Sequence, residues 1–224
     1  MLSAKNHSVT VQPHLRFREA VQYMRFTLYY DGPLPSGSKG SKVQEKQAIR
    51  EKLYPQFLEL WKIHPALPKP SNREWHGWSQ WDWPLSVYPW WEKVSVYQRR
   101  GIRFVPLVRS DLFMVCELSI IFLRPGYLGQ IIQGGDIDNR IKTFADALSV
   151  PQENQLNNVL INHALNDPFF CLLGDDSLVS SLSIRTAQLL APVTDAHKDD
   201  VRLIVDVDIK ITKLTDGNIS LVSG

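Results

Sequence analysis

The chain has 224 residues, 44% of them hydrophobic and 21% charged, which excludes a disordered protein and suits one large domain with a substantial core. Lys and Arg total 25 against 23 for Asp and Glu, so global charge does not announce nucleic-acid binding, although a local basic patch stays open. A run of roughly 18 apolar residues is lacking, as is the apolar centre of a signal peptide in Met1–His14, so neither a membrane span nor secretion is expected. Cys116 and Cys171 lie in apolar runs, as buried thiols do in a reducing compartment, and the expected location is cytoplasmic.

Residues 1–20 are mixed and polar and read as an N-terminal tail. Tyr23–Tyr30 is aromatic and β-prone, a first strand, and Asp31–Gly40, with three glycines and two prolines, reads as a loop. From Ser41 to about Lys62, Ile49, Leu53, Phe57 and Leu60/Trp61 supply a helical core stripe, while Pro55 predicts a kink or two shorter helices. Lys39, Lys42, Lys46 and Arg50 recur at spacings of three and four, an edge that either follows a phosphate backbone or is a solvated lysine face. Residues 63–92 hold six of the seven tryptophans, Trp75, Trp78, Trp81, Trp83, Trp90 and Trp91. Such a segment is an irregular cap on a sheet, a stacking or wedging surface for nucleic acid, or a partner-docking surface.

Lys93–Tyr97 and Ile102–Val108 read as short strands around Arg99-Arg100-Gly101, and Leu112–Leu123 as a central strand. Then comes Gly134-Gly135-Asp136-Ile137-Asp138-Asn139-Arg140-Ile141-Lys142, continued by Thr143-Phe144-Ala145-Asp146-Ala147-Leu148. If Asp136 and Asp138 close an extended segment, their side chains leave one face. From Asn139 on, Ile141, Phe144, Ala145 and Leu148 give a buried helical stripe, with Asp138, Lys142 and Asp146 on an i, i+4 ridge away from it. Two acids and a lysine at a strand-to-helix junction suit a hard dication with phosphate oxygens as further ligands. An N-cap with ordinary Asp-Asn turn chemistry is the structural alternative.

Ser149–Asn166 is rich in Asn and Gln, with a short helix expected over Asn154–Leu165. Apolar Phe169–Leu173 leads into Gly174-Asp175-Asp176-Ser177, a second acidic pair, for which a plain turn is the alternative. Leu178–Ile184 and Val201–Ile211 read as two further strands. In the last, Val201, Leu203, Val205, Val207, Ile209 and Ile211 face one way, and Arg202, Asp206, Asp208 and Lys210 the other.

Asp136-x-Asp138-Asn139-x-x-Lys142-x-Phe144-x-Asp146-Ala147-Leu148, followed by Gly174-Asp175-Asp176-Ser177-x-Val179, resembles the RusA family of Holliday-junction resolvases. The motifs span roughly residues 112–211, with a looser likeness over 23–62. The resemblance implies an α+β domain over residues 21–214 with a mixed sheet and helices on one side. Relative to compact members, 63–92 and 151–168 look like insertions, and 215–224 is a C-terminal tail. It further implies a Mg²⁺-dependent endonuclease (Mn²⁺ as a substitute) acting as a homodimer on branched DNA. Carried over by position, Asp136, Asp138 and Asp176 bind metal and Lys142 is the essential lysine near the scissile phosphate. Asp175 and Asp146 match family positions of lesser rank. Lys39, Lys42, Lys46, Arg50 and Arg140 are the expected nucleic-acid contacts.

The chemistry is self-consistent, since a carboxylate-held dication lowers the pKa of water and neutralises phosphate charge while a lysine donates to the phosphate. The six histidines show no pair at zinc spacing, and no Gly-Lys-Ser/Thr phosphate loop occurs; neither zinc nor a nucleotide cofactor is expected. Two other readings stand beside the endonuclease: a nuclease of RNase H type, and a non-catalytic nucleic-acid- or protein-binding module that uses the tryptophan segment.

Overall fold

The β-prone stretches pair as strands, and the two amphipathic stretches form helices that bury their apolar stripes. The structure, a computed structural model, describes residues 24–35, 42–64, 67, 97–125, 136–156, 168–190, 199–215 and 218, and of residue 136 the backbone alone. In chain order the elements are β1 (Met24–Pro33), α1 (Val43–Ile63), β2 (Tyr97–Arg99), β3 (Ile102–Val108), β4 (Met114–Arg124), α2 (Asp136–Leu148), β5 (Phe169–Leu173), β6 (Val179–Gln188) and β7 (Asp200–Ile211). The fold is α+β. The tryptophan segment, apart from Ile63, His64 and Leu67, lies outside the described residues, as does most of the expected helix over Asn154–Leu165; its start is a short 3-10 helix, Glu153–Leu156.

The sequence predicts one mixed sheet, whereas the described residues form two, ordered β1-β7-β4-β6 and β2-β3-β5. In the larger sheet, antiparallel pairing sets Leu28 and Ile120 on either side of Val205, and Met24 and Cys116 on either side of Ile209. The apolar rows of three strands therefore share one buried face, which fixes the register. The alternation predicted for β7 holds from Val201 to Ile209, while Ile211 at its end is half-buried. The division between the sheets falls at Arg109–Phe113. Phe113 adopts a left-handed φ of 52°, and buried Arg109 forms an ion pair with Asp111 while lying 5.8 Å from the Tyr97 ring centroid. The chain is thereby redirected from β3 into β4. The β2–β3 hairpin turns on Arg100 and Gly101, both at positive φ, the two-residue turn whose twist matches paired strands.

β1 continues three residues beyond the predicted strand, to Pro33, because Asp31–Pro33 still pair with Asp200–Arg202. α1 is a single helical element through Pro55. Burial of Leu53, Tyr54 and Phe57 around the proline outweighs the missing N–H. The predicted stripe of Ile49, Leu53, Phe57, Leu60 and Trp61 is wholly buried, with Trp61 5.2 Å from Phe170 and Tyr54 4.9 Å from Phe169 between ring centroids. Both cysteines are free and buried, and burial pushes each thiol up to about 12. No helix among the described residues is long and apolar enough to cross a membrane.

α2 packs through Ile137, Ile141, Phe144, Ala147 and Leu148, and Phe144 meets Tyr30 of β1 at 5.8 Å between centroids. Because Phe144 is fully buried, Phe144→Ala is expected to cost about 3–5 kcal/mol. Urea unfolding monitored by circular dichroism measures this, and a loss under about 1 kcal/mol would remove Phe144 from the set of residues that hold α2.

Candidate active site

The site begins on α2. Asp138 and Lys142 are exposed and Asp146 is half-buried, so the ridge predicted from i, i+4 spacing is present. The expected strand register of the two acids is not. Asp136 is already the first residue of α2, and positions two apart on a helix are separated by about 200° of rotation rather than returning to one face. The side chain of Asp136 lies outside the described residues.

The other end of α2 is tied to β5. Val150 N–H donates to Leu173 O at 2.9 Å, and Ser149 bridges Leu173 in parallel. Gly174 follows, donating its N–H to Val108 O at 2.9 Å. A Cβ there would stand 3.2 Å from the Tyr97 hydroxyl, so the absence of a side chain eases this close passage. Asp175 then caps the one-turn 3-10 helix Asp176–Leu178, its Oδ1 accepting from Ser177 N–H at 3.0 Å. Hydrogen bonds from Ser177, the side chain first and then the backbone, hold the Asp175 carboxyl below its ordinary range. Leu178 is buried beneath the turn, while Asp175 and Asp176 are exposed.

These connections set the Asp176 turn against α2. Between them is a cavity of about 110 Å³ lined by Asp146, Ser149, Gln152, Gln155, Asp175 and Asp176, with Val150. Asp138 is not among the lining residues, being two turns, about 12 Å, along the helix from Asp146. Ser149, Gln152 and Gln155 are absent from the sequence-based site. Their only signal is the Asn/Gln-rich composition after Leu148, which names no ligand. Among the described residues no three His, Cys, Asp or Glu side chains stand close enough to hold a metal ion.

The basic residues expected on nucleic acid have partners within the chain. Lys42 Nζ donates to Thr143 Oγ1 at 2.9 Å and to Pro35 O at 3.1 Å. Lys46 pairs with Asp146 at 2.7 Å. Arg50 Nη2 donates to Asp146 O at 3.1 Å and to Gln155 Oε1 at 3.4 Å, and burial lowers its pKa to about 10. Arg140 donates to Leu34 O at 2.6 Å and to Asp199 Oδ1 at 2.9 Å. Lys39 lies outside the described residues. Helical spacing thus finds the basic edge of α1, while the fold turns that edge onto α2.

Comparison with models of protein families, with curated proteins and with solved structures finds no match for this chain.

Arg140 is 6% exposed, so Arg140→Met is expected to lower stability by about 2–4 kcal/mol by removing the donor to Asp199 and Leu34 O. The same change is expected to leave the salt dependence of any DNA affinity unaltered; a log–log slope smaller by about one would put this guanidinium on phosphate. In a carboxyl NMR titration, Asp175 is expected to titrate below the usual aspartate range, and Ser177→Ala to move it upward, because the side-chain donor is lost.

Proposed function

We propose that this chain is a Mg²⁺-dependent, structure-selective DNA endonuclease of the RusA type, hydrolysing phosphodiester bonds in branched DNA as a cytoplasmic homodimer. The observation that carries this reading is the packing of α2 against the Asp176 turn, which joins the two acidic motifs across intervening chain. Asp138 and Asp176 are exposed carboxylates on these touching elements, the oxygen donors a hard dication takes. Two such groups are short of a complete centre, and Asp136 is the residue that completes it.

A bound Mg²⁺ supplies an acidified water and neutralises phosphate charge. The chain's own residues hold and orient: Asp136, Asp138 and Asp176 bind the ion. Lys142, exposed one turn beyond Asp138, donates to a phosphate oxygen as charge builds there. Asp146 carries a different load, because one of its carboxylate oxygens holds Lys46 at 2.7 Å. Asp175 is engaged in capping its own turn.

Labelled four-way junction, fork and linear duplex test the reading. Wild type is expected to cut branched DNA when Mg²⁺ is present and to stop when it is chelated. Asp138→Asn and Asp176→Asn are expected to abolish cutting, and Lys142→Met to slow it about a hundredfold or more with DNA binding retained. Tight binding by a wild type that cuts none of the three substrates would replace this reading with the binding module.

A further inference from the structure

We infer that the outer edge of β6 is where a second copy of this chain docks, the two strands pairing antiparallel about a two-fold axis at Ser183, with Leu182 of each opposite Ile184 of the other. This rests on the reading above in taking the occupant to be a second copy, and its evidence is separate from the nuclease chemistry.

An unpaired strand edge offers a row of N–H and C=O groups to any other chain, so edges are ordinarily kept short, charged or covered. Three of the four sheet edges among the described residues are treated in this way. On β1, Gln56 of α1 takes both backbone groups of Tyr29, accepting from its N–H at 2.8 Å and donating to its carbonyl at 2.7 Å, and Lys52 donates to Asp31 O. β2 has three residues, and β5 is buried along its whole length. The fourth edge is β6. It is ten residues long, is bonded to β4 alone among the described residues, and is exposed at every position from Ser180 to Arg185. It has no proline, and Arg185 is its one charge.

The apolar side chains of β6 are exposed on the wrong face for a free edge. In register with β4, Leu182 stands beside Leu118 and Ile184 beside Ile120, so all four leave the same face of the sheet. Leu118 and Ile120 are 1% and 2% exposed, while Leu182 and Ile184 are 45% and 37% exposed. The cover over the core face therefore ends at β4, and β6 carries apolar surface that a continued sheet would take out of water.

The strand is complementary to itself. Pairing about Ser183 sets Leu182 opposite Ile184 twice on the core face and Arg185 opposite Ser181 twice on the other, so no like charges meet. A slip of one residue would put the core face of one copy on the opposite side from that of the other, which disfavours it. The backbone suits the pairing, because the register of β6 against β4 is regular from Ser181 to Gln188. A neutral strand carries no charge pattern to select a foreign partner. An edge that needs constant cover also needs an occupant present wherever the chain is, and the chain itself meets that condition.

Sedimentation of the full chain and oxidative cross-linking test the interface together. Wild type is expected to sediment at twice the mass of one chain. Leu182→Lys/Ile184→Lys sets like charges opposite each other and is expected to weaken association about a hundredfold or more, with circular dichroism unchanged because both positions are exposed. Ser183→Cys is expected to form a disulfide-linked dimer, since directly opposed residues stand at about 4.5–5.5 Å between Cα atoms, within disulfide reach. Gln188→Cys is expected to stay unlinked, its copies being about 33 Å apart along the paired strands. Cys116 and Cys171 are buried, so linking reports the introduced thiol, and this arm decides the matter should the double lysine variant not fold. A wild-type dimer that survives the lysines, or in which Ser183→Cys links no better than Gln188→Cys, overturns the β6 interface and leaves the homodimer standing. A monomeric wild type overturns both. A dimer through β6 that cuts no DNA sinks the nuclease reading alone.

Discussion

The hydrogen bond from Val150 N–H to Leu173 O, 2.9 Å long, is the constraint on which the site depends. It fastens the chain leaving α2 to the last residue of β5, so the acids of α2 and those that follow β5 have little freedom to separate. A backbone bond of this kind contributes only about 1 kcal/mol, but β5 is buried along its whole length, and a broken bond there would strand a donor and an acceptor away from water. Gly174 makes the sequel feasible by passing Tyr97 closely. The acidic pair therefore emerges from a strand of the smaller sheet that is buried along its whole length, and a site carried on a packed strand is better positioned than one on a loop.

A second constraint fixes α2 from the side. Lys42, Lys46 and Arg50, one edge of α1, bind Thr143, the Asp146 carboxylate and the Asp146 carbonyl. Lys42 and Lys46 are half-buried, as is Asp146, so water still screens their contacts in part and limits what each contributes. Arg50 is different because it is 3% exposed and its desolvation must be offset by the acceptors around it. The outcome is a polar seam that aligns two helices in one register, whereas an apolar seam would tolerate sliding. At the other end of α2, Arg140 reaches Leu34 O and Asp199, next to the backbone bond from Leu34 N–H to Asp199 O at 2.8 Å. α2 is thus held at both ends by guanidinium groups, and its exposed ridge of Asp138 and Lys142 faces outward by default.

Local patterns were legible where one physical rule dominates. The alternation of β7, the stripe of α1 from Ile49 to Trp61 and the ridge of Asp138, Lys142 and Asp146 all follow from side-chain period alone. The same rules failed where tertiary packing competes with local preference. Pro55 does not divide α1, because apolar neighbours bury on both sides of it. Asp136 begins a helix in place of closing a strand, so the two-residue repeat does not apply to it.

What the sequence determined by itself is most of the described strands and helices, the buried stripe of α1, the alternation of β7 and the two acidic motifs, since each is written in neighbouring residues. What only the tertiary structure decided is what those residues face. The basic edge of α1 meets Asp146 and not solvent, one sheet becomes two at Arg109–Phe113, and Ser149 is left beside Asp175 and Asp176 with an unused hydroxyl. The physical reason is that spacing along a chain records the direction of a side chain relative to its own element. The partner on the far side comes from a distant segment, and its position is set by strand register, burial and the few backbone bonds that join the elements.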